Sequence, residues 1–268
     1  MIITLTTDFG YKDPFVGIMK GVIAGINPQA QIVDLNHGIP PQDIMAGALT
    51  LRHSAPYFPR GSIHVVVVDP GVGGTRAPLL VEFDGGYFIG PDNGVVSLLL
   101  EDQASRRLIH LSNPTYHRRP TSATFHGRDV FAPVAAHLSR GIDPAAFGEP
   151  VSDVVRLDWP KALKSESDIE GEIVYIDNFG NLFSNIQERD LAAFQRESLT
   201  VSLGQTVIRA LAQSYSAGKD GRCIALINSW GLLEIAAYKD SAQQRCRARI
   251  GDKVHISTRE ELRKGGAA

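Results

Sequence analysis

The chain has 268 residues, 43% hydrophobic and 21% charged, which suits one large domain or two modest ones with a proper core and excludes wholesale disorder. Lys and Arg number 27 against 29 Asp and Glu, a net charge of −2 with no basic run, so a nucleic-acid footprint is not supported. Two cysteines do not make a disulfide framework, and no apolar stretch is long enough to span a bilayer; a cytoplasmic, reduced protein is the expectation.

Residues 2–7 read as a buried first strand. The N-terminus has no basic region and only a short apolar run, so it does not read as a signal peptide. Asp13 is predicted to cap a helix with Pro14 at its first position. Phe15, Ile18, Met19, Val22, Ile23 and Ile26 give that helix one apolar face. Residues 32–35 are the next predicted strand and 44–51 the next helix. Residues 63–68 are the most strand-like run. Helices are expected over 93–100 and over 130–138, the latter ending near Gly141. This alternation predicts a largely parallel sheet covered by helices.

The pattern changes near residue 160. Residues 159–168, polar with one proline, read as a linker between an α/β domain at 1–160 and a smaller domain at 170–268. Short strands are expected at 172–176, 199–203, 206–211, 223–227, 233–237 and 253–256, with turn residues between them. They predict a small antiparallel barrel or sandwich. Cys223 lies in the apolar run 223–227 and is expected simply to pack. The tail 265–268 is expected to fray, and no internal repeat is visible.

Ligands of open α/β sheets bind beyond the carboxyl ends of the strands. Asp8 ends the first strand and Asp69 ends the strand at 63–68, so two carboxylates share one rim if those strands are parallel neighbours. Asp69 is followed by Gly71, Gly73, Gly74 and Arg76. This is neither a P-loop nor a dinucleotide fingerprint. It reads either as an ordinary glycine turn or as a loop bringing backbone close to a ligand while Arg76 folds back onto Asp69. His126 sits before Gly127 at a predicted helix start, a place for a structural histidine or for an acid/base group. The other histidines are scattered and make no zinc motif. Asp8 can end a strand or take a ribose diol. Asp13 can cap its helix or bind a ligand with the same oxygens. The cluster Asp177, Asn178, Phe179, Gly180, Asn181 is a hairpin turn, or a stacking face with an amide for a base edge and a carboxylate for a cation. Ser229 and Trp230 carry the same ambiguity. Pro91 to Gly94 reads as a turn and cap without chemistry.

Together these segments resemble the S-adenosyl-L-methionine (SAM) hydroxide adenosyltransferases, or SAM hydrolases, relatives of the fluorinase and chlorinase enzymes. Thr7, Asp8, Phe9 and Gly10 carry the resemblance with Asp13 to Gly17. So do Val67 to Gly73 with Arg76, Gly90 to Gly94, Thr124 to Asp129, Ile176 to Leu182 with Asn185 and Ile186, and Asn228 and Ser229 with Leu233 to Ala236. Each segment is short; six in order across nearly the whole chain are specific. The resemblance implies an α/β N-terminal domain, a β-barrel C-terminal domain, and a homotrimer with sites at subunit interfaces. It implies hydrolysis of SAM to adenosine and L-methionine, with SAM as substrate and no cofactor or metal.

By the same resemblance, the catalytic residues fall on Asp69, Arg76 and His126. Asp8 would hold the ribose hydroxyls, Asp13, Asp177 and Ser229 the methionine end, and Phe179, Asn181 and Phe183 the adenosine. Trp230 stands where halogenating relatives carry an arginine, and Gly127 where they carry a serine. They also lack the Asp/Arg/His set, and the extra fluorinase loop is missing here; these departures imply the hydrolase branch. His126, with an ordinary pKa of about 6.5, is the expected proton acceptor, and Asp69 the residue that orients the water. A chlorinase using the same substrate, a SAM or adenosine binding module without turnover, and a hydrolase of another nucleoside are the rival readings.

Overall fold

The computed structural model describes residues 1–192, 194–196 and 198–258. The chain divides into two compact units, Met1–Asp158 and Trp159–Ala268.

The first unit runs β1 (Ile2–Thr7), α1 (Phe15–Ile26), β2 (Gln31–Asn36), α2 (Ile44–Ser54), β3 (Ser62–Val67), β4 (Pro78–Phe83), β5 (Gly86–Pro91), α3 (Ser97–Asp102), β6 (Ser105–His110), α4 (Ala132–Ser139) and β7 (Glu149–Pro150). Its strands form one sheet in the order β2-β1-β3-β5-β4-β6-β7. Pairing is parallel from β2 to β5 and antiparallel from β5 to β7. All six residues of β3 are buried. Alternate residues of a strand point to opposite faces. Ile63, Val65 and Val67 join Ile3, Leu5, Met19, Ile23 and Phe131 in one core beneath α1 and α4. On the opposite face α2 closes over Val68, with Gly47 at the contact. Each such fully buried aliphatic side chain stabilises the fold by roughly 1.5–3 kcal/mol.

The second unit runs β8 (Leu163–Lys164), β9 (Asp168–Ile176), β10 (Leu182–Gln187), β11 (Leu199–Leu203), β12 (Thr206–Arg209), β13 (Cys223–Ile227), β14 (Leu232–Ala237), α5 (Ala242–Cys246) and β15 (Lys253–Thr258). The order is β12-β11-β15-β9-β10-β14-β13, all antiparallel, with β8 beside β9. The two edges approach one another through a bridge between Leu211 and Ala225, so the sheet nearly closes into a barrel. Ile169, Ile173, Leu182, Leu233, Ile235 and Ile256 are among its core residues. A mixed α/β unit followed by an antiparallel barrel-like unit is the fold class expected from the sequence.

Several local expectations change. Asp13 does not cap α1: Pro14 occupies the cap position without a side-chain bond, and Asp13 is exposed. The third helix begins at Ser97 and not at 93, because Gly94 has φ +94° and Asn93 takes the Val95 N–H, a turn that precedes the helix. β4, β5 and β6 are not among the expected elements. The stretch 159–168 is not a bare linker: it supplies β8, and the Pro160 carbonyl accepts from Asn185. Cys223 does more than fill space. It is partly buried, and its Sγ lies 3.8 Å from that of Cys246 at the end of α5. The tail 265–268 lies outside the described residues. Among those described, no helix is long and apolar enough to cross a membrane.

Candidate active site

β1 and β3 are paired in parallel, Thr7 opposite Val67, so Asp8 and Asp69 leave adjacent strands at the same rim. The rim residues are held from several directions. Asn93 Nδ2 donates to the Val68 carbonyl at 2.8 Å, just before Asp69. The Asp8 Oδ2 accepts the Gln42 N–H at 2.8 Å, and Oδ1 has no hydrogen bond among the described residues. Phe9, next to Asp8, meets Phe125, next to His126, with ring centroids 6.0 Å apart, and Phe15 of α1 packs against both.

The loop after β3 folds back as the glycine spacing allowed. Arg76 Nε donates to Asp69 Oδ1 at 2.9 Å, and Nη2 pairs with Oδ2. Nη2 also donates to His126 Nδ1 at 2.8 Å. Asp69 and Arg76 side chains are 5% and 9% exposed, so the ion pair is largely withdrawn from water. Arg76 lies over the buried Phe131 ring, 5.5 Å to the centroid, and its Nη1 is buried with no partner among the described residues. Gly73 makes this close packing feasible. It has φ +73°, and a Cβ there would stand 2.0 Å from the Ala123 carbonyl oxygen. The loop with Arg76 thus lies directly against the loop that leads to His126.

His126 occupies the position before a π-helical turn over Gly127–Phe131 that leads into α4, with no side-chain capping bond. Local π-helical turns are frequent at functional sites. Asp129 in that turn is fully buried and pairs with Arg128 at 2.6 and 2.7 Å, and its Oδ2 accepts the Ser122 N–H. This network fixes the 118–126 loop.

A guanidinium has no acceptor, so Nδ1 of His126 must be the acceptor and, in the neutral ring, the proton sits on Nε2. Burial and the adjacent Arg76 charge both lower the His126 pKa. This arrangement favours Asp69 over His126, the residue expected from the sequence, as the group that takes a proton from water. The His126 Nδ1 lone pair is occupied by Arg76, and a second positive charge beside that guanidinium is disfavoured. Asp69 accepts two bonds from Arg76 and still has lone pairs to offer.

The second group of expected residues lies on the second unit. Asp177 accepts from the N–H groups of Phe179 and Asn181 with Oδ1, and from Asn181 Nδ2 with Oδ2. This ties the hairpin turn between β9 and β10. Asn181 is buried, whereas Phe179 is 74% exposed and open to a stacking partner. Phe183 is buried against Tyr175 and Trp230, ring centroids 5.5 and 5.1 Å away. Ser229 is exposed in the turn between β13 and β14. Asp177, Phe179, Asn181 and Tyr215 border a cavity of about 550 Å³. A larger cavity, about 840 Å³, opens at the seam of β12 and β13 and carries none of these residues. Asp13 makes no side-chain hydrogen bond among the described residues. Asn93 and the Phe9–Phe15–Phe125 wall are the features the sequence reading missed. The Asn in Pro91 to Gly94 was the available signal.

The N-terminal domain of the SAM hydroxide adenosyltransferases matches residues 3–148, and the C-terminal domain matches 171–255. The chain is 35% identical to a (R)-S-adenosyl-L-methionine hydrolase of Methanocaldococcus jannaschii, covering 95% of each chain. It is 40% identical to one of Salinispora tropica, covering 95% of this chain and 97% of that one. The crystal structure of an uncharacterized conserved protein from Thermotoga maritima superposes with a TM-score of 0.88 at 32% identity, over 96% of this chain and 100% of the other. The chain belongs to the SAM hydroxide adenosyltransferase family.

Proposed function

We propose that this protein is an enzyme that hydrolyses S-adenosyl-L-methionine to adenosine and L-methionine, by attack of water or hydroxide on the ribose 5′ carbon. The observation that carries this reading is the half-buried, hydrogen-bonded Asp69–Arg76–His126 cluster on the rim it shares with Asp8. The new O–C5′ bond forms as the C5′–S bond breaks, and the bonding pair returns to sulfur. Methionine leaves as a neutral thioether, so the leaving group needs no acid. Hydroxide and sulfonium charges cancel in the transition state, which a water-poor pocket favours. Alignment of the nucleophile is the second contribution.

In this reading the Arg76 guanidinium holds Asp69 in place and lends its positive charge to the developing hydroxide. Asp69 accepts the proton that the water gives up, and neutral His126 fixes the guanidinium. Asp8 takes the ribose hydroxyls. Asp13, Asp177 and Ser229 take the methionine end, and Phe179, Asn181 and Phe183 the adenosine. The substrate is the only small molecule required. A domain division near residues 160–170, a cytoplasmic location and a homotrimer with sites at subunit interfaces complete the proposal; light scattering on the purified protein tests the last.

The decisive assay incubates the protein with SAM in chloride-free ¹⁸O-water and reads the products by mass spectrometry. Because the relatives' names specify the (R) form and the sulfonium is a stereocentre, both sulfonium epimers are supplied. Adenosine with ¹⁸O at the 5′ oxygen and an equal amount of methionine, both lost in Asp69→Ala, is the expected result. Formation of 5′-chloro-5′-deoxyadenosine when chloride is restored would indicate a chlorinase, and tight binding without turnover a binding module.

A further inference from the structure

Glu234 lies on β14 within an otherwise apolar strand and is fully buried. It stands opposite Phe183 on β10 and Leu226 on β13. Directly opposed residues share a sheet face, so Glu234 is on the side of Phe183, away from the core residues Leu233 and Ile235. The short 3₁₀ turn Tyr215–Gly218 packs against β13 and β14. Among the described residues neither Glu234 oxygen has a hydrogen-bond partner, and the polar groups that act on its carboxyl are the Tyr215 hydroxyl and the Asn228 amide. A buried acid so loosely satisfied costs the fold stability.

Both neighbours lead to the methionine end of the candidate site. Asn228 Oδ1 accepts the N–H groups of Trp230 at 2.9 Å and Leu232 at 3.1 Å, which closes the turn presenting Ser229. Its Nδ2, like both Glu234 oxygens, is buried and has no hydrogen-bond partner among the described residues. Tyr215 borders the 550 Å³ cavity together with Asp177. Burial and the two carboxylates, Glu234 before Asp177, push its hydroxyl up to about 12, so it remains a neutral donor.

We propose that Glu234 is a positioning residue for the amino-acid end of the substrate: through Tyr215 and Asn228 it sets the cavity wall beside Asp177 and the turn that presents Ser229, so that this region recognises an α-ammonium group. The proposal rests on the SAM reading above. It assigns Tyr215 a direct place at the cavity and Glu234 an indirect one.

The test compares the full-length wild type with Glu234→Gln and Tyr215→Phe. Two compounds are used: SAM, and 5′-dimethylsulfonio-5′-deoxyadenosine, which keeps the adenosine and sulfonium but lacks the amino-acid end. Both variants should raise KM for SAM about tenfold, the effect of a lost hydrogen bond to a charged group, with kcat little changed. The inhibition constant of the truncated sulfonium should stay as in wild type. Equal penalties on both compounds, or a fall in kcat at unchanged KM, would reveal a merely structural role and overturn the proposal, as would no change in either. If Glu234→Gln fails to fold by circular dichroism, Glu234→Asp, which keeps the acid but withdraws it from its neighbours, takes its place in the same comparison. If the wild type binds SAM without turning it over, calorimetric dissociation constants replace KM, so the hydrolase reading fails separately. If it binds no SAM, both fall.

Discussion

Arg76 donates to His126 Nδ1 at 2.8 Å while the same guanidinium holds Asp69, so one cation fixes the tautomer of a histidine and the orientation of a carboxylate. Protonation of Nδ1 breaks the first of these contacts. Burial, then Arg76, holds the His126 pKa below 6.5. The pH profile of kcat should therefore fall on the acid side with an inflection below about 6.5. An inflection at neutral pH would contradict the tautomer. His126→Asn, which keeps an acceptor near that position, should retain more activity than His126→Ala.

The same shift bears on stability. A histidine whose folded pKa is lowered binds its proton more readily when unfolded, so stability is lost as pH falls below the unfolded value. His126 shares this behaviour with His53 and His64, both lowered to about 4 by burial. Melting temperature should hold steady above about pH 6.5 and decline between there and about pH 4. Calorimetry across that range checks it; a rise in stability on acidification would refute the burial of these rings.

Removing Arg76 should do more than lower activity. Arg76→Ala leaves the Asp69 carboxylate buried without its cation, which costs about 3 kcal/mol. Arg76→Lys keeps charge but not the fork, and should lose about 100-fold in turnover with a smaller loss of stability. Denaturant melts and product chromatography separate the two effects. Asp69→Asn at full activity would remove Asp69 from the proton path.

Gly73 and Gly10 make a matched pair. Both have positive φ, +73° and +64°, but only Gly73 would drive a Cβ into backbone, at 2.0 Å from the Ala123 oxygen. Gly10→Ala should cost about 1 kcal/mol, the strain of the left-handed backbone alone. Gly73→Ala should cost about 3 kcal/mol and most of the activity, because the Arg76 and His126 loops must part. Similar melts for the two variants would mean that the loops yield freely.

The sequence exposed the buried strand at β3 because Ile63 to Val68 is almost continuously apolar, and a fully buried strand needs no alternation. It hid β4 and β5 because Leu79 to Val81 and Tyr87 to Ile89 are short runs around a glycine turn at 85–86, too brief to distinguish from loop. The return of Arg76 onto Asp69 was legible from three glycines in the intervening loop. The tautomer of His126 was not, since it depends on which ring nitrogen meets the guanidinium. Asp13 before Pro14 carried a cap signal, yet Pro14 takes the cap position itself. Glu234 falls in the stretch Leu233 to Ala236 that carries the family resemblance, but its burial was not legible: an acid between Leu233 and Ile235 reads as a strand residue turned to water until its neighbours are placed.

The nearness of Cys223 and Cys246, 3.8 Å between sulfurs, has a practical consequence. A disulfide needs a separation of about 2.05 Å, within reach of a small side-chain movement. Air oxidation would staple α5 to β13. At its other end α5 bears on the turn tied by Asp177, since Gln243 N–H donates to the Gly180 carbonyl at 2.8 Å. A preparation kept without reductant would then be a mixture of two chemical species, with different rigidity beneath one candidate subsite. Thiol titration before and after dithiothreitol, alongside SAM turnover, would show whether batch-to-batch variation in rate follows the thiol count.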